Sequence, residues 1–92
     1  MTYRIEVTNQ YLRDLKLARK RSLDENKLNE IIRLLSSGQD LPAKNRDHPL
    51  VGNFRGCREC HISPDWLLIY RKSETLQILS LVRTGSHSDL FG

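Results

Sequence analysis

A chain of 92 residues suits one domain and leaves no room for a second, because typical domains run to about 100 to 150 residues. Apolar residues make up 38% and charged residues 28%, which excludes the composition of a disordered chain. Fifteen Lys and Arg against eleven Asp and Glu give a formal charge of +4 and a pI near 9.4, which calls for a polyanionic partner without choosing between nucleic acid, an acidic protein and an anionic membrane.

Thr2 to Val7 alternates polar and apolar around Tyr3, Ile5 and Val7, the period of a half-buried strand. Thr8 or Asn9 then caps a helix from Gln10 to Arg21, in which Tyr11, Leu15 and Ala18 recur at core spacing with Leu12 beside them and Arg13, Lys16 and Lys20 on the opposite flank. A second helix is expected from Asp24, its N-cap, to Ser37, with Leu28, Ile31, Ile32 and Leu35 inward and Gly38 as its stop.

Gly38 to Gly52 holds Pro42, Pro49 and two glycines among polar residues, so it is expected as a long loop, a kind that often carries function. Three strands should follow, Phe54 to Ile62, Trp66 to Arg71 and Leu76 to Val82, with short connections that imply an antiparallel meander. The last is apolar on both faces and is expected to be central. The resulting order, β-α-α-β-β-β, belongs to the α+β class.

No run approaches the roughly 20 apolar residues that cross a bilayer, and Met1 to Val7 has no long apolar core, so a cytosolic location with no membrane partner is expected. In that compartment Cys57 and Cys60 are expected as thiols. Together with His61 they spell the C-x-x-C-H pattern of c-type haem attachment. An alternating strand would point the two sulfurs to opposite faces, which argues against haem, and a structural zinc site would need a second ligand pair at ligand spacing. Neither cofactor is expected.

The three histidines, His48, His61 and His87, lie at a loop, a strand end and the tail, outside any helical core stripe. An imidazole exchanges a proton near neutral pH, as phosphodiester cleavage requires at both the nucleophile and the leaving oxygen. Arg83 directly follows the last expected strand, where a guanidinium can hold a phosphate through two parallel hydrogen bonds. Asp65 and Trp66, after a Ser-Pro turn, offer a carboxylate to orient a histidine and an indole to stack on a base, or else a turn Asp followed by a core Trp. Taken singly, a loop histidine is usually solvated and a lone arginine on a basic protein usually just adds charge.

Four separated stretches tie these residues together: Asp47-His48-Pro49-Leu50-Val51-Gly52, Cys60-His61-Ile62-Ser63-Pro64-Asp65-Trp66-Leu67-Leu68-Ile69-Tyr70, Arg83-Thr84-Gly85-Ser86-His87, and the terminal Leu90-Phe91-Gly92. In order and spacing they resemble the YafQ branch of the RelE/ParE superfamily of type II toxin–antitoxin systems, and the early phrase Leu15-Lys16-Leu17-Ala18-Arg19-Lys20-Arg21 extends the likeness over nearly the whole chain. Cys57 and Cys60 depart from the pattern without replacing a catalytic position.

The resemblance implies a RelE-like single domain over residues 1–92, with a mainly antiparallel sheet whose first strand lies beside the last, two helices packed on one face and an RNA groove on the other. It implies an mRNA endonuclease acting on the translating ribosome without a metal, and an acidic antitoxin that wraps it. Operator DNA would be met only through the antitoxin complex. Carried over by position, His48, His61, Asp65, Arg83 and His87 are catalytic, and Trp66 and Phe91 lie beside the RNA. The resemblance makes His87 the general acid and Arg83 the phosphate clamp, with His61 or His48 and Asp65 on the base side. The rival reading is a non-catalytic module of the same fold that binds RNA or serves as a co-repressor with its antitoxin.

Overall fold

A computed structural model describes residues 2–92. The strands are β1 (Arg4–Val7), β2 (His48–Pro49), β3 (Arg58–Ser63), β4 (Trp66–Ser73) and β5 (Ile78–Gly85); the helices are α1 (Asn9–Lys20), α2 (Glu25–Ser36) and α3 (His87–Phe91). The five strands form one sheet in the order β1-β5-β4-β3-β2. The β3-β4-β5 meander is antiparallel as expected, and β1 lies parallel beside β5.

Local chemistry explains the helix ends. The Thr8 hydroxyl accepts from Tyr11 N at 2.9 Å and caps α1, and the Asp24 carboxylate accepts from Asn26 N at 3.0 Å and caps α2. Past α2, Gly38 takes φ +79°, a left-handed conformation that closes the last turn with bonds from Gly38 N to Leu35 O and from Gln39 N to Leu34 O.

Helices α1 and α2 cover one face of the sheet. Tyr11, Ala18, Leu28, Ile31 and Leu35 pack there on Cys60, Ile62, Leu68, Tyr70, Leu79 and Leu81. Leu28 and Leu35 are 1% exposed, so truncating either to alanine should cost about 2 to 5 kcal/mol. On the opposite face Leu90 of α3 closes a smaller cluster with Cys57, Leu67 and Ile69. The two free cysteines thus lie on opposite sides of the sheet, and burial, helped by the nearby charges of Asp47 and Glu59, pushes the Cys60 thiol up to about 12.

Several boundaries differ from the sequence-based expectation. Tyr3 is buried just ahead of β1, whereas Ile5 and Val7 are each 45% exposed because β1 lies at the margin of the sheet. Leu12 is exposed, and the charged Asp14 is buried instead. The long loop contains a 3-10 turn at Ala43–Asn45 and the short strand β2, whose proline occupies an outermost strand, where its missing N–H costs no ladder bond. β3 starts later than expected because Gly52–Phe54 form a second 3-10 turn. β5 starts at Ile78 and runs on to Gly85, so Arg83 is inside a strand and does not follow one. The tail is a short helix, α3, capped by a reciprocal pair of bonds between Ser86 and Asp89.

Candidate active site

Strand register brings the separated histidines to one region. His48 is opposite Glu59, Glu59 opposite Ile69, and Ile69 opposite Arg83, which gives a single row across β2, β3, β4 and β5. The next row on the same face, two positions on, is His61, Leu67 and Gly85. His87 starts α3 two residues beyond Gly85, and Leu90 packs that helix onto Leu67 and Ile69.

At the β2 end, one carboxylate sits between two imidazoles. Glu59 Oε1 is 3.4 Å from His48 Nε2 and 3.9 Å from His61 Nε2, and Glu59 is buried at 5% exposure. His48 Nδ1 lies 2.7 Å from the carbonyl of Arg46. A carbonyl only accepts, so Nδ1 holds a hydrogen, and Nε2 is the atom left to take up or release a proton. His48 is placed by its neighbour Asp47, which accepts from Tyr70 Oη at 2.6 Å and Arg58 Nε at 3.2 Å. Burial, then the bond to Asp47, raises the Tyr70 phenol far above its ordinary range, so it serves as a fixed donor. His61 is anchored through its backbone carbonyl, which accepts from Asn45 Nδ2 at 2.7 Å.

At the β5 end, the Asp65 carboxylate accepts from the backbone N–H of His87 at 3.4 Å and so steadies the start of α3 without touching the imidazole. The His87 ring stacks at a tilt on Phe91, with centroids 5.0 Å apart, and Phe91 meets Phe54 edge to face at 5.8 Å. The penultimate residue is therefore folded back over the sheet, with Phe91 still 41% exposed.

Arg83 has a partner that sequence reasoning missed. Its Nε and Nη2 donate to Asp14 at 3.0 and 2.9 Å, and Gln10 Nε2 and Thr84 N donate to the same carboxylate. Burial alone would raise the Asp14 pKa; the bonds from Arg83, Gln10 and Thr84 outweigh it and leave the carboxyl below its ordinary value. Among the described residues the other guanidinium hydrogens of Arg83 make no hydrogen bond, which leaves them able to meet an incoming anion.

The sequence model of the family described as bacterial toxin of type II toxin-antitoxin system, YafQ, matches residues 3–92. The chain belongs to the YafQ family. It is 47% identical over 89 residues to the mRNA interferase toxin YafQ of Escherichia coli K12, covering 96% of this chain and 95% of that one. The crystal structure of YafQ from E. coli BL21(DE3) superimposes with a TM-score of 0.91 at 42% identity, covering 98% of this chain and 99% of that one. YafQ in the E. coli DinJ-YafQ toxin-antitoxin complex matches at 0.90 and 44%, over the full length of both chains. The RelE-like fold expected from the sequence is thus the YafQ fold, with α3 and the short β2 added to the expected order.

Within this YafQ fold one expected site residue proves to be a core residue. Trp66 is 2% exposed, its ring belongs to the cluster under α1 and α2, and its Nε1 donates to Thr84 Oγ1 at 2.9 Å. In this structure the indole is buried with its N–H satisfied and presents no exposed face on which a base could stack, as in the alternative reading of a turn Asp followed by a core Trp. Two carboxylates join the site instead. Glu59 was hidden behind the C-x-x-C-H pattern, although it faces the same side as His61 two positions on. Asp14 was hidden on a helix face read as apolar, where an acid at a core position is the signal that was available.

Proposed function

We propose that this chain is an mRNA interferase, the toxin of a type II toxin–antitoxin pair, and that it cuts mRNA on the ribosome by attack of the ribose 2′-hydroxyl on the adjacent phosphate. The observation that carries the reading is the arrangement of acid, base and cation groups around one face of the sheet: His48, Glu59 and His61 on β2 and β3, Arg83 on β5, and His87 at the start of α3, which follows β5. Family membership supports it, since the E. coli relative is named an mRNA interferase toxin.

In this mechanism His48 or His61, with Glu59 holding the imidazolium that forms, takes the proton of the 2′-hydroxyl. The hydroxyl oxygen bonds to phosphorus while the bond to the leaving 5′-oxygen breaks, and His87 gives that oxygen its proton. The products are a 2′,3′-cyclic phosphate end and a 5′-hydroxyl end. Arg83 offsets the charge that builds on the pentacoordinate phosphorus, and removing such a contact commonly costs about 3 to 4 kcal/mol of transition-state stabilisation. Phe91, half exposed beside His87, supplies the stacking surface for a base next to the scissile bond. No step runs through a metal.

The +4 charge suits the RNA and an acidic antitoxin segment alike. An antitoxin partner is supported by the E. coli relative, whose structure was solved as the DinJ-YafQ toxin-antitoxin complex. Induction of the wild-type chain beside His87→Ala in cells, with mRNA ends mapped, tests the reading. Growth arrest and cut mRNA with the wild type alone supports it; intact mRNA with both, each folded by circular dichroism, sinks it in favour of a binding module.

A further inference from the structure

Two ion pairs leave one side of α1 and its C-cap residue Arg21 and reach β5 and α3, the elements that carry Arg83 and His87. Asp14 and Arg21 are seven residues apart, about two helical turns, so they lie one above the other. Asp14 holds Arg83 on β5 with two bonds. Arg21 holds Asp89 on α3 with two more, Nη1 to Oδ2 at 2.5 Å and Nη2 to Oδ1 at 3.2 Å. The four side chains border one cleft of about 270 Å3 between α1, β5 and α3.

β1 stops pairing with β5 at Val7 and Leu81, which leaves the N–H of Thr84 on an open strand margin. Asp14 accepts that N–H at 3.2 Å while it grips the neighbouring guanidinium, so it fixes backbone and head group of Arg83 together. α3 has only five residues and cannot hold its own shape by helix propagation. It is held from outside, by Leu90 beneath it, by Asp65 at its first N–H and by Arg21 at Asp89. The fit is close: a side chain added at Gly85 would meet Asp89 Cβ at 3.0 Å and Oδ2 at 3.1 Å. Asp89 lies well below the ordinary carboxylate range, first through its bond from Arg21 and then through Ser86 N, so the pair stays charged at neutral pH.

We propose that α1 is the positioning element of the site, with Asp14 setting the guanidinium of Arg83 and Arg21 setting α3, and through it His87 and Phe91. Neither Asp14 nor Arg21 touches the reacting atoms. The inference rests on the nuclease reading for its kinetic readout, and on geometry alone for its structural one.

The test measures single-turnover and steady-state cleavage of a defined mRNA on purified ribosomes, with amide exchange followed on the same proteins. Arg21→Ala should lower kcat roughly 10- to 100-fold, the loss expected when a reacting group is misplaced by about 1 Å, with KM nearly unchanged. Arg21→Lys should recover part of that rate. Asp89→Asn should act like Arg21→Ala, and the double variant should lose little more than either alone, because both remove one contact. Asp14→Asn should slow the wild type and add little in an Arg83→Ala background. The amides of Leu90 and Gly92, bonded to Ser86 O and Ser88 O, should exchange faster in Arg21→Ala while those of β4 do not change. Full kcat in Arg21→Ala, or losses that multiply in both double variants, overturns the proposal. A wild type that cuts nothing removes the nuclease reading, and unchanged exchange at Leu90 and Gly92 would then overturn the docking role by itself.

Discussion

His48 and Glu59 face each other across β2 and β3, with imidazole Nε2 and carboxylate Oε1 3.4 Å apart, although β2 is two residues long and was hidden in what reads as a loop. The carboxylate is almost fully buried and reaches His61 as well. Such a group has few roles except to hold charge on its neighbours. Glu59→Gln keeps the shape and removes the charge, and mRNA cleavage should slow about 100-fold, near the lower bound for losing general-base assistance. A single-turnover assay at pH 7 with a thermal melt as control checks this; an unchanged rate would remove Glu59 from the base side.

Trp66 gives a prediction of opposite kind. Trp66→Phe loses the bond to Thr84 Oγ1 and part of the core, so stability should fall by about 1 to 3 kcal/mol in urea denaturation. Affinity for a 2′-O-methyl RNA should stay within a factor of two or so of wild type, because a hidden indole holds no base. A large loss of RNA binding with stability intact would restore the stacking role.

Phe91 is the aromatic side chain that does face outward beside His87. Phe91→Ala should reduce RNA affinity by about 1 to 3 kcal/mol, the usual range for one base stacked on an aromatic ring. Stability should change little, because Leu90 continues to anchor α3. Fluorescence anisotropy with the same non-cleavable RNA, beside a urea titration, separates the two effects.

Acid should weaken the fold in a defined direction. Asp14 and Asp89 both have lowered pKa values in the folded chain, so their contribution to stability is complete above the ordinary carboxylate value of about 4 and is lost as pH falls through the lower folded values. Melting temperature should therefore drop between about pH 4 and pH 2, and the drop should be smaller in Asp14→Asn. Parallel slopes in the two proteins would show that Asp14 does not contribute.

Much of the fold was legible because local signals agreed with it. The 3.6-residue period of Leu28, Ile31 and Leu35, the Asp24 cap and the stop at Gly38 placed α2 almost to the residue. The meander followed from β-rich runs with short connections. What failed to show depended on long-range pairing. β2 has no period of its own and exists through its register with Arg58 and Glu59. α3 exists because Leu90, Asp65 and Arg21 hold it. Asp14 finds Arg83 across 69 positions, and no local pattern announces such a pair. The histidines, Asp65, Arg83 and Phe91 were singled out by residue chemistry and a family pattern, while the partners of Glu59 and Asp14 became visible only in three dimensions.

The most direct test of 2′-hydroxyl attack with His87 as the acid is cleavage of a ribosome-bound mRNA whose scissile nucleotide carries either a 2′-hydroxyl or a 2′-deoxyribose, by the wild-type chain and by His87→Ala. With attack by the 2′-hydroxyl, the wild type cuts only the 2′-hydroxyl substrate, leaving a 2′,3′-cyclic phosphate and a 5′-hydroxyl, and a folded His87→Ala cuts neither at a measurable rate. Cleavage of the 2′-deoxy substrate by the wild type, or full activity in His87→Ala, would contradict it.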